Sequence, residues 1–212
     1  MLDQRFAILL APLLIACTRF TPPRPAIAQA LFAMLALLLL IRTGVVAHTW
    51  VAHRADLAEM RQAIAMIERG ARMLVVRPEV GTGLRLAPQR HRVFHHAAQL
   101  ASLPTLAVIE KSAFVSTLYA LPGQQPLVLK PPFDRLGGQG DVGLPTLDDL
   151  KQAMTASSEH APDQRIQRWQ EDFDHVLLLY GYGPGAADLV QGLPLRPLLD
   201  GASVDLFRIV RN

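Results

Sequence analysis

The stretch AIAQALFAMLALLLLIRTGVVA, residues 26–47, decides how the chain is organised. Its central part contains only Ala, Leu, Ile, Met and Phe, and Gln29 and Arg42 lie towards its two ends. About 22 helical residues span roughly 33 Å, which is enough to cross the hydrocarbon core of a bilayer. The apolar residues occupy every face of such a helix, so the pattern favours a transmembrane helix over an amphipathic one. A buried helix of a large globular core is the alternative.

A shorter apolar run, FAILLAPLLIAC at residues 6–17, precedes this stretch and is interrupted by Pro12. Three interpretations remain open. A signal peptide would fit the length, and residues 14–17 (LIAC) have the shape of a lipoprotein cleavage site at which Cys17 would be lipidated. A short transmembrane helix paired with the next one through the turn TRFTPPRP is the preferred interpretation. A remnant of a longer multi-pass protein is compatible with that helical hairpin.

The charges are distributed unevenly, which predicts two regions in different solvents. Residues 1–48 form the predicted membrane region, with helices at about 6–18 and 26–47, whereas nearly all acidic residues lie beyond it. The net charge of +3 comes mostly from scattered arginines, so the pattern does not indicate nucleic-acid binding. The single cysteine excludes a framework of internal disulfides and a cysteine-rich zinc site.

The pattern of apolar residues at positions 49–69 predicts an amphipathic helix that connects the membrane region to the rest of the chain. Its apolar residues recur every three or four positions, and Gly70 is a suitable residue to follow its end. The apolar stripe could pack on a soluble domain, which is the commoner outcome, or lie on the membrane. The stripe comprises Trp50, Leu57, Met60, Ile64 and Ile67.

In residues 70–212, strand candidates alternate with helix candidates. This pattern predicts a soluble α/β domain with a mixed or parallel sheet covered by helices. The clearest strands are residues 72–76 (RMLVV), 175–180 (HVLLLY) and 204–210 (VDLFRIV). Weaker strand candidates are residues 106–109, which could also continue a helix, 113–119 and 127–129. Helices are expected at residues 90–103, 146–155 and 186–190. The Gly- and Pro-rich stretch 130–163 predicts an irregular surface excursion around the second of these helices.

Three histidines form the most suggestive cluster of chemical groups. In a helix, His91 and His95 lie one turn apart, and two imidazoles at that spacing can bind a metal; His96 is adjacent. No third ligand can be named, and structural or surface histidines are the ordinary explanation. We therefore expect no metal site and keep His91, His95 and His96 as weak candidates.

Other motifs do not identify a catalytic or cofactor site. The glycine-rich residues 137–140 and 181–185 resemble phosphate-binding loops, but Pro184 removes an amide donor and no Lys-Ser/Thr pair follows. Ordinary glycine turns explain both. Glu110 and Lys111 follow a possible strand but would face different ways. The acidic residues Asp134, Asp141, Asp148 and Asp149 lie in the irregular stretch, where solvation is expected. Catalytic residues are not predicted, and no cofactor is expected.

Several segments together resemble the C-terminal part of bacterial multi-pass membrane proteins similar to integral-membrane glycosyltransferases that use lipid-linked sugars. These segments are residues 3–6 (DQRF), 70–75 (GARMLV), 95–127, 172–179 (DFDHVLLL) and 205–210 (DLFRIV). The resemblance implies a periplasmic C-terminal domain in the bacterial inner membrane. Its partners would be the lipid bilayer, other membrane-protein subunits or a lipid-linked sugar.

The family's catalytic acid lies in an early loop that nothing in this chain matches. The resemblance therefore implies no independent enzymatic activity. Basic residues alone leave orientation near even, because Arg19 and Arg24 in the turn oppose Arg54 and Arg61 after the second helix. The alternative function is a self-contained membrane-anchored domain that binds a partner, or a lipoprotein.

Overall fold

The computed structural model describes residues 25–52, 54–78, 102–118, 128–137, 144–155, 164–179 and 190–211. The chain divides into two units between Val51 and Ala52. Within the first unit the structure describes one long helix, α1, which spans Pro25–Ala52. The predicted first membrane helix, the turn after it and Cys17 lie outside the described residues.

The second unit is built on a mixed β-sheet, which confirms the predicted α/β class. In the described residues the sheet has five strands in the order β2-β1-β3-β5-β4. β1 pairs in parallel with both β2 and β3, whereas β5 runs antiparallel to β3 and β4. The strands are β1 (Arg72–Val76), β2 (Phe114–Val115), β3 (His175–Leu179), β4 (Leu195–Asp200) and β5 (Val204–Ile209).

The central strand β3 is buried along its whole length, which explains why its sequence HVLLL is apolar without alternation. Successive side chains contribute to opposite faces of the sheet. Val176 and Leu178 belong to one core cluster, which also contains Trp169. Leu177 and Leu179 belong to the other. The domain is therefore a three-layer arrangement with the sheet in the middle.

Helices cover both faces of the sheet. α2 (Arg54–Met66) and α3 (Leu106–Lys111) contribute to the cluster around Leu177, whereas α4 (Leu147–Thr155) and α5 (Trp169–Asp172) contribute to the cluster around Val176. Short 3₁₀ helices occur at Leu103–Thr105, Phe133–Arg135 and Gln164–Ile166.

The predicted amphipathic helix corresponds to the end of α1 followed by α2. Met60, Ile64 and Ile67 are buried in the domain core, so this part of the apolar stripe packs on the sheet. Trp50 lies on α1 and is 71% exposed. Gly70 follows α2 in a turn and has a φ of +78°, a conformation that glycine adopts without steric cost.

Some of the local predictions were wrong. For residues 106–109 the strand is wrong and the alternative, a continuing helix, is correct: they belong to α3 because Pro104 opens a 3₁₀ turn that continues into it, and the helix ends at Ser112 in the left-handed region. Of residues 113–119 only Phe114–Val115 pair as a strand. Val128 and Leu129 form no strand.

Strand β4 was not predicted, because Pro197 makes its sequence LRPLLD resemble a turn. β4 lies at the edge of the sheet, where a proline is tolerated because no further strand needs its amide, and the register shifts between Pro197 and Leu199. The predicted helix at residues 146–155 is present as α4. The predicted helices at residues 90–103 and 186–190 lie almost entirely outside the described residues.

Candidate functional site

Helix α1 presents apolar side chains in all directions. Phe32 is 74% exposed and Leu40 is 68% exposed, and the leucines around them are similarly uncovered. An apolar window in this N-terminal helix has a mean hydropathy of 2.3, and none of it is buried against protein. At 1.5 Å per residue the 28 residues extend about 42 Å, which exceeds the roughly 30 Å of a hydrocarbon core. By length and composition the helix can cross a bilayer.

The α/β domain has a cleft at one end of its sheet. Arg72 and His175 are the first residues of the parallel strands β1 and β3, so the cleft lies at the amino ends of these strands. Its volume is about 500 Å³, which is in the range of small-molecule sites. The lining consists of Glu68, Arg69, Gly70, Ala71, Asp174, Arg208, Ile209 and Arg211.

Asp174 is the centre of an ion-pair cluster in the wall of this cleft. It accepts hydrogen bonds from the backbone amide of Arg72 at 2.9 Å, and from the guanidinium groups of Arg72 at 2.9 Å and Arg211 at 2.7 Å. Burial alone would raise the pKa of Asp174, but these hydrogen bonds hold it well below its usual range. Arg211 also donates to the carbonyl oxygen of Phe173, which fixes the end of the chain against the start of β3.

A histidine lies beneath the cleft. The side chain of His175 is 1% exposed, and its Nε2 atom lies 3.4 Å from Oε2 of Glu68. Neither ring nitrogen has a hydrogen-bond partner within the described part of the chain. Burial lowers the pKa of His175, although the carboxylates of Glu68 and Asp174 oppose that shift. The other oxygen of Glu68 lies 3.3 Å from Nη2 of Arg208, so Glu68 connects the buried imidazole to an exposed guanidinium.

A second group of carboxyls lies at the turn between β4 and β5. The carboxylate of Glu59, on α2, accepts hydrogen bonds from the amides of Ala202 and Ser203 and from the Ser203 hydroxyl. Asp205 is fully buried, pairs in register with Asp200 across the strands, and accepts a hydrogen bond from the Gly201 amide at 2.9 Å.

The carboxyl of Asp205 has a raised pKa. Burial raises the pKa of Asp205 to about 7, and the carboxylates of Asp200 and Glu59 reinforce the shift against the opposing effect of the Gly201 amide. Its Oδ2 atom receives no hydrogen bond from a described donor. A proton on this carboxyl would turn the repulsion between Asp200 and Asp205 into a hydrogen bond. Glu59 therefore joins α2 to the β4–β5 turn, and the same turn contains the buried carboxyl of Asp205.

The structure brings few of the sequence-predicted candidates into a site. His91, His95 and His96 lie outside the described residues, as do Asp141 and the glycine-rich residues 181–185. Of residues 137–140 only Gly137 is described, and it is buried beside Leu129. Among the described residues no group of three His, Cys, Asp or Glu side chains could hold a metal ion.

The remaining candidates have structural roles. Glu110 pairs with Arg61 on α2, and Nζ of Lys111 donates to the carbonyl oxygen of Ala65, so both hold α3 against α2. Asp149 caps α4 reciprocally with Thr146: each side chain accepts the other residue's backbone amide.

Asp134 accepts a hydrogen bond from the amide of Arg135, and Asp148 lies 3.4 Å from Lys151. The expectation that these acidic residues lie in an irregular loop was wrong for Asp148 and Asp149, which belong to the first turn of α4.

The charged residues of the cleft and the buried Asp205 were not among the residues predicted to form a site. A signal was present for both. The sequence DFDH at residues 172–175 places acids and a histidine directly before the most apolar strand. In β5, Asp205 interrupts a strand that is buried on both sides. Polar groups at such positions require partners, so they indicate a specific local arrangement.

Ligands of open α/β sheets usually bind beyond the carboxyl ends of the strands. In this chain residues 79–101 follow the carboxyl end of β1 and residues 180–189 follow that of β3, and both stretches lie outside the described residues. Comparisons of the chain with protein-family models, with curated proteins and with solved structures found no match.

Proposed function

We propose that the chain is a membrane-anchored protein in which α1 crosses the bilayer and holds the α/β domain next to it. The observation that carries this proposal is the exposure of apolar side chains all round α1. Leu39 alone is 65% exposed and Leu35 is 60% exposed. At roughly 25 cal/mol per Å², leaving a whole helix of such side chains in water is costly, and hydrocarbon removes that cost.

The position of Arg42 is compatible with a membrane span. It is the only ionisable residue within residues 26–47, and it lies nearer to the C-terminal end of that stretch. A long cationic side chain at such a position can extend its guanidinium to the headgroups while its methylenes remain among lipid chains.

A finer part of the proposal rests on the resemblance of residues 70–75, 95–127, 172–179 and 205–210 to glycosyltransferase-like membrane proteins. We propose that the α/β domain is the periplasmic C-terminal domain of such a protein in a bacterial inner membrane. It would have no independent activity and would assist in handling the acceptor or a lipid-linked sugar. The alternative is a self-contained anchored domain, or a lipoprotein, that binds another protein.

Extraction of membranes tests the anchor. Cells expressing the full chain are fractionated, and the membranes are washed with alkaline carbonate, which releases peripheral proteins. We expect the wild-type chain to stay in the pellet. Replacing Leu35 and Leu39 by Arg places two charges near the middle of α1 and costs about 5–7 kcal/mol of insertion free energy. A larger fraction of this variant than of the wild-type chain should therefore be released, even with the apolar residues 6–18 intact.

A matched control separates the effect of where the arginines lie along α1 from the effect of their charge alone. Ile27→Arg with Val51→Arg adds the same two charges near the ends of α1, where arginine reaches the headgroups, and this variant should remain in the pellet. Equal release of both double variants, or release of the wild-type chain, would contradict the proposed anchor.

Two further experiments test the finer proposal. Fusion of alkaline phosphatase to the C-terminus should give active enzyme, which requires the periplasm, whereas fusion of a cytoplasmically folding fluorescent protein should give no signal. Affinity purification from detergent-solubilised membranes should recover multi-pass proteins or glycolipids. Recovery of the chain alone would favour the self-contained domain.

A further inference from the structure

We propose that the cleft at the amino ends of β1 and β3 is a binding site for a doubly charged phosphate group. This inference goes beyond the proposed membrane anchor, because neither its geometry nor its charge depends on α1. The two groups most available to a ligand are the guanidiniums of Arg69 and Arg208, which belong to the turn after α2 and to the end of β5.

The charge balance around the cleft leaves two positive charges uncompensated. Asp174 and Glu68 are the two acidic residues of the lining, and they face four arginines: Arg72, which hydrogen-bonds Asp174, and three in the lining itself. The arginines of the lining are Arg69, Arg208 and Arg211.

Neighbouring acids do not remove this excess, because each has a cation of its own. Asp172 lies 2.6 Å from Arg135, and the carboxylate of Glu171 pairs with Arg168. His175 adds no charge at neutral pH because burial lowers its pKa. The cleft therefore has the net charge that a dianion would neutralise.

The arrangement of the arginines favours phosphate among anions. Arg211 is held by Asp174 and by backbone carbonyls, so one wall of the cleft is rigid. Arg69 forms no hydrogen bond or ion pair with any other described residue, and the Arg208 side chain is 58% exposed with a single 3.3 Å contact to Glu68. Two available guanidinium forks suit the several oxygens of a tetrahedral dianion, which accept bidentate hydrogen bonds.

Glu68 sets the selectivity of this site. Its carboxylate lies between Arg208 and His175 and competes with an anion for Arg208. A ligand with a single negative charge competes poorly with the Glu68 carboxylate for Arg208. A dianion is attracted to the arginines about twice as strongly and therefore competes better. Replacing Glu68 by Gln should therefore increase phosphate affinity, an effect opposite in sign to simple damage of the fold.

The phosphate could be a soluble group or the headgroup of an anionic lipid, and two arms of one experiment distinguish these sources. The full chain carries Trp50→Phe, so that the buried Trp169 reports unfolding of the domain by fluorescence. In the first arm, inorganic phosphate at pH 8 is titrated into the chain in non-ionic detergent micelles, against sodium chloride of equal ionic strength. In the second, the chain is placed in nanodiscs of phosphatidylcholine with or without phosphatidic acid.

We expect the unfolding temperature to rise in at least one arm beyond the effect of salt, by mass action. Arg69→Gln with Arg208→Gln should weaken the apparent affinity at least tenfold. Glu68→Gln should strengthen it by about threefold, the effect of removing one nearby like charge at a partly exposed site. A response only to inorganic phosphate identifies a soluble ligand, and a response only to phosphatidic acid identifies a lipid headgroup.

Arg54→Gln with Lys151→Gln is the matched control, since it removes the same two positive charges away from the cleft and should leave the affinity within twofold of wild type. The proposal is overturned by the absence of a response in both arms, by an unchanged response in the Arg69/Arg208 variant, or by an equal loss in the control. None of these outcomes bears on carbonate extraction, so the anchor and the phosphate site can fail independently.

Discussion

Replacement of Asp205 by Asn should change how the stability of the α/β domain depends on pH. Folding raises the pKa of this carboxyl from 3.8 to about 7, so the folded protein keeps a proton that the unfolded chain releases between these values. The stabilisation from Asp205 is complete below about pH 4 and is lost as the pH rises to 7. Three pKa units correspond to about 4 kcal/mol.

Asn has nearly the same shape, accepts the Gly201 amide through its carbonyl oxygen, and donates to Asp200 through its amide. It therefore mimics the protonated acid at every pH. We expect the free energy of unfolding of Asp205→Asn, relative to wild type, to increase by up to about 4 kcal/mol between pH 4 and pH 8.

The assay is urea denaturation of the full chain in non-ionic micelles, followed by the fluorescence of Trp169 in the Trp50→Phe background. Other groups, such as His175 and Asp174, titrate in both proteins. Their contribution therefore cancels in the difference between the two free energies of unfolding. Asp148→Asn, which removes an exposed acid paired with Lys151, is the control and should leave the pH profile unchanged. Parallel profiles for wild type and Asp205→Asn would refute a buried, protonated carboxyl at the β4–β5 turn.

The same assay tests two other contacts. Asp174→Asn should lower the free energy of unfolding by about 1–3 kcal/mol at pH 7, because the guanidiniums of Arg72 and Arg211 lose the negative charge that they share and one acceptor oxygen becomes an amide donor. This difference should shrink below about pH 4, where the wild-type carboxyl of the unfolded chain is already protonated, and a difference independent of pH would contradict the role of its charge. Glu59→Ala should cost about 1–2 kcal/mol, because three donors of residues 202–203 lose their acceptor, and should also lower the pKa of Asp205. An unchanged urea midpoint would show that α2 is held by its apolar contacts alone.

The sequence pattern was sufficient where a single physical effect dominates. β3 and β1 were predictable because strands buried on both faces must be apolar throughout, and α1 because no polar residue interrupts residues 30–41, about three helical turns. The α/β class followed from these strands and the helices between them.

Local sequence patterns did not predict the structure of segments whose conformation depends on contacts with other parts of the fold. The sequence LAVIEK of α3 is equally suitable for a strand, and the 3₁₀ turn at Pro104 decides for a helix. β4 contains a proline that only an edge position permits. Asp174 and Arg211 lie far apart in sequence, and only the pairing of β3 with β5 places them close together. Their ion pair could therefore not be predicted from the sequence.

The most direct test of the membrane anchor is the behaviour of the purified full-length chain after detergent removal. We expect the chain to float with lipid vesicles in a density gradient and to aggregate when vesicles are omitted. A monodisperse, lipid-free monomer in plain buffer that stays at the bottom of the gradient would contradict it.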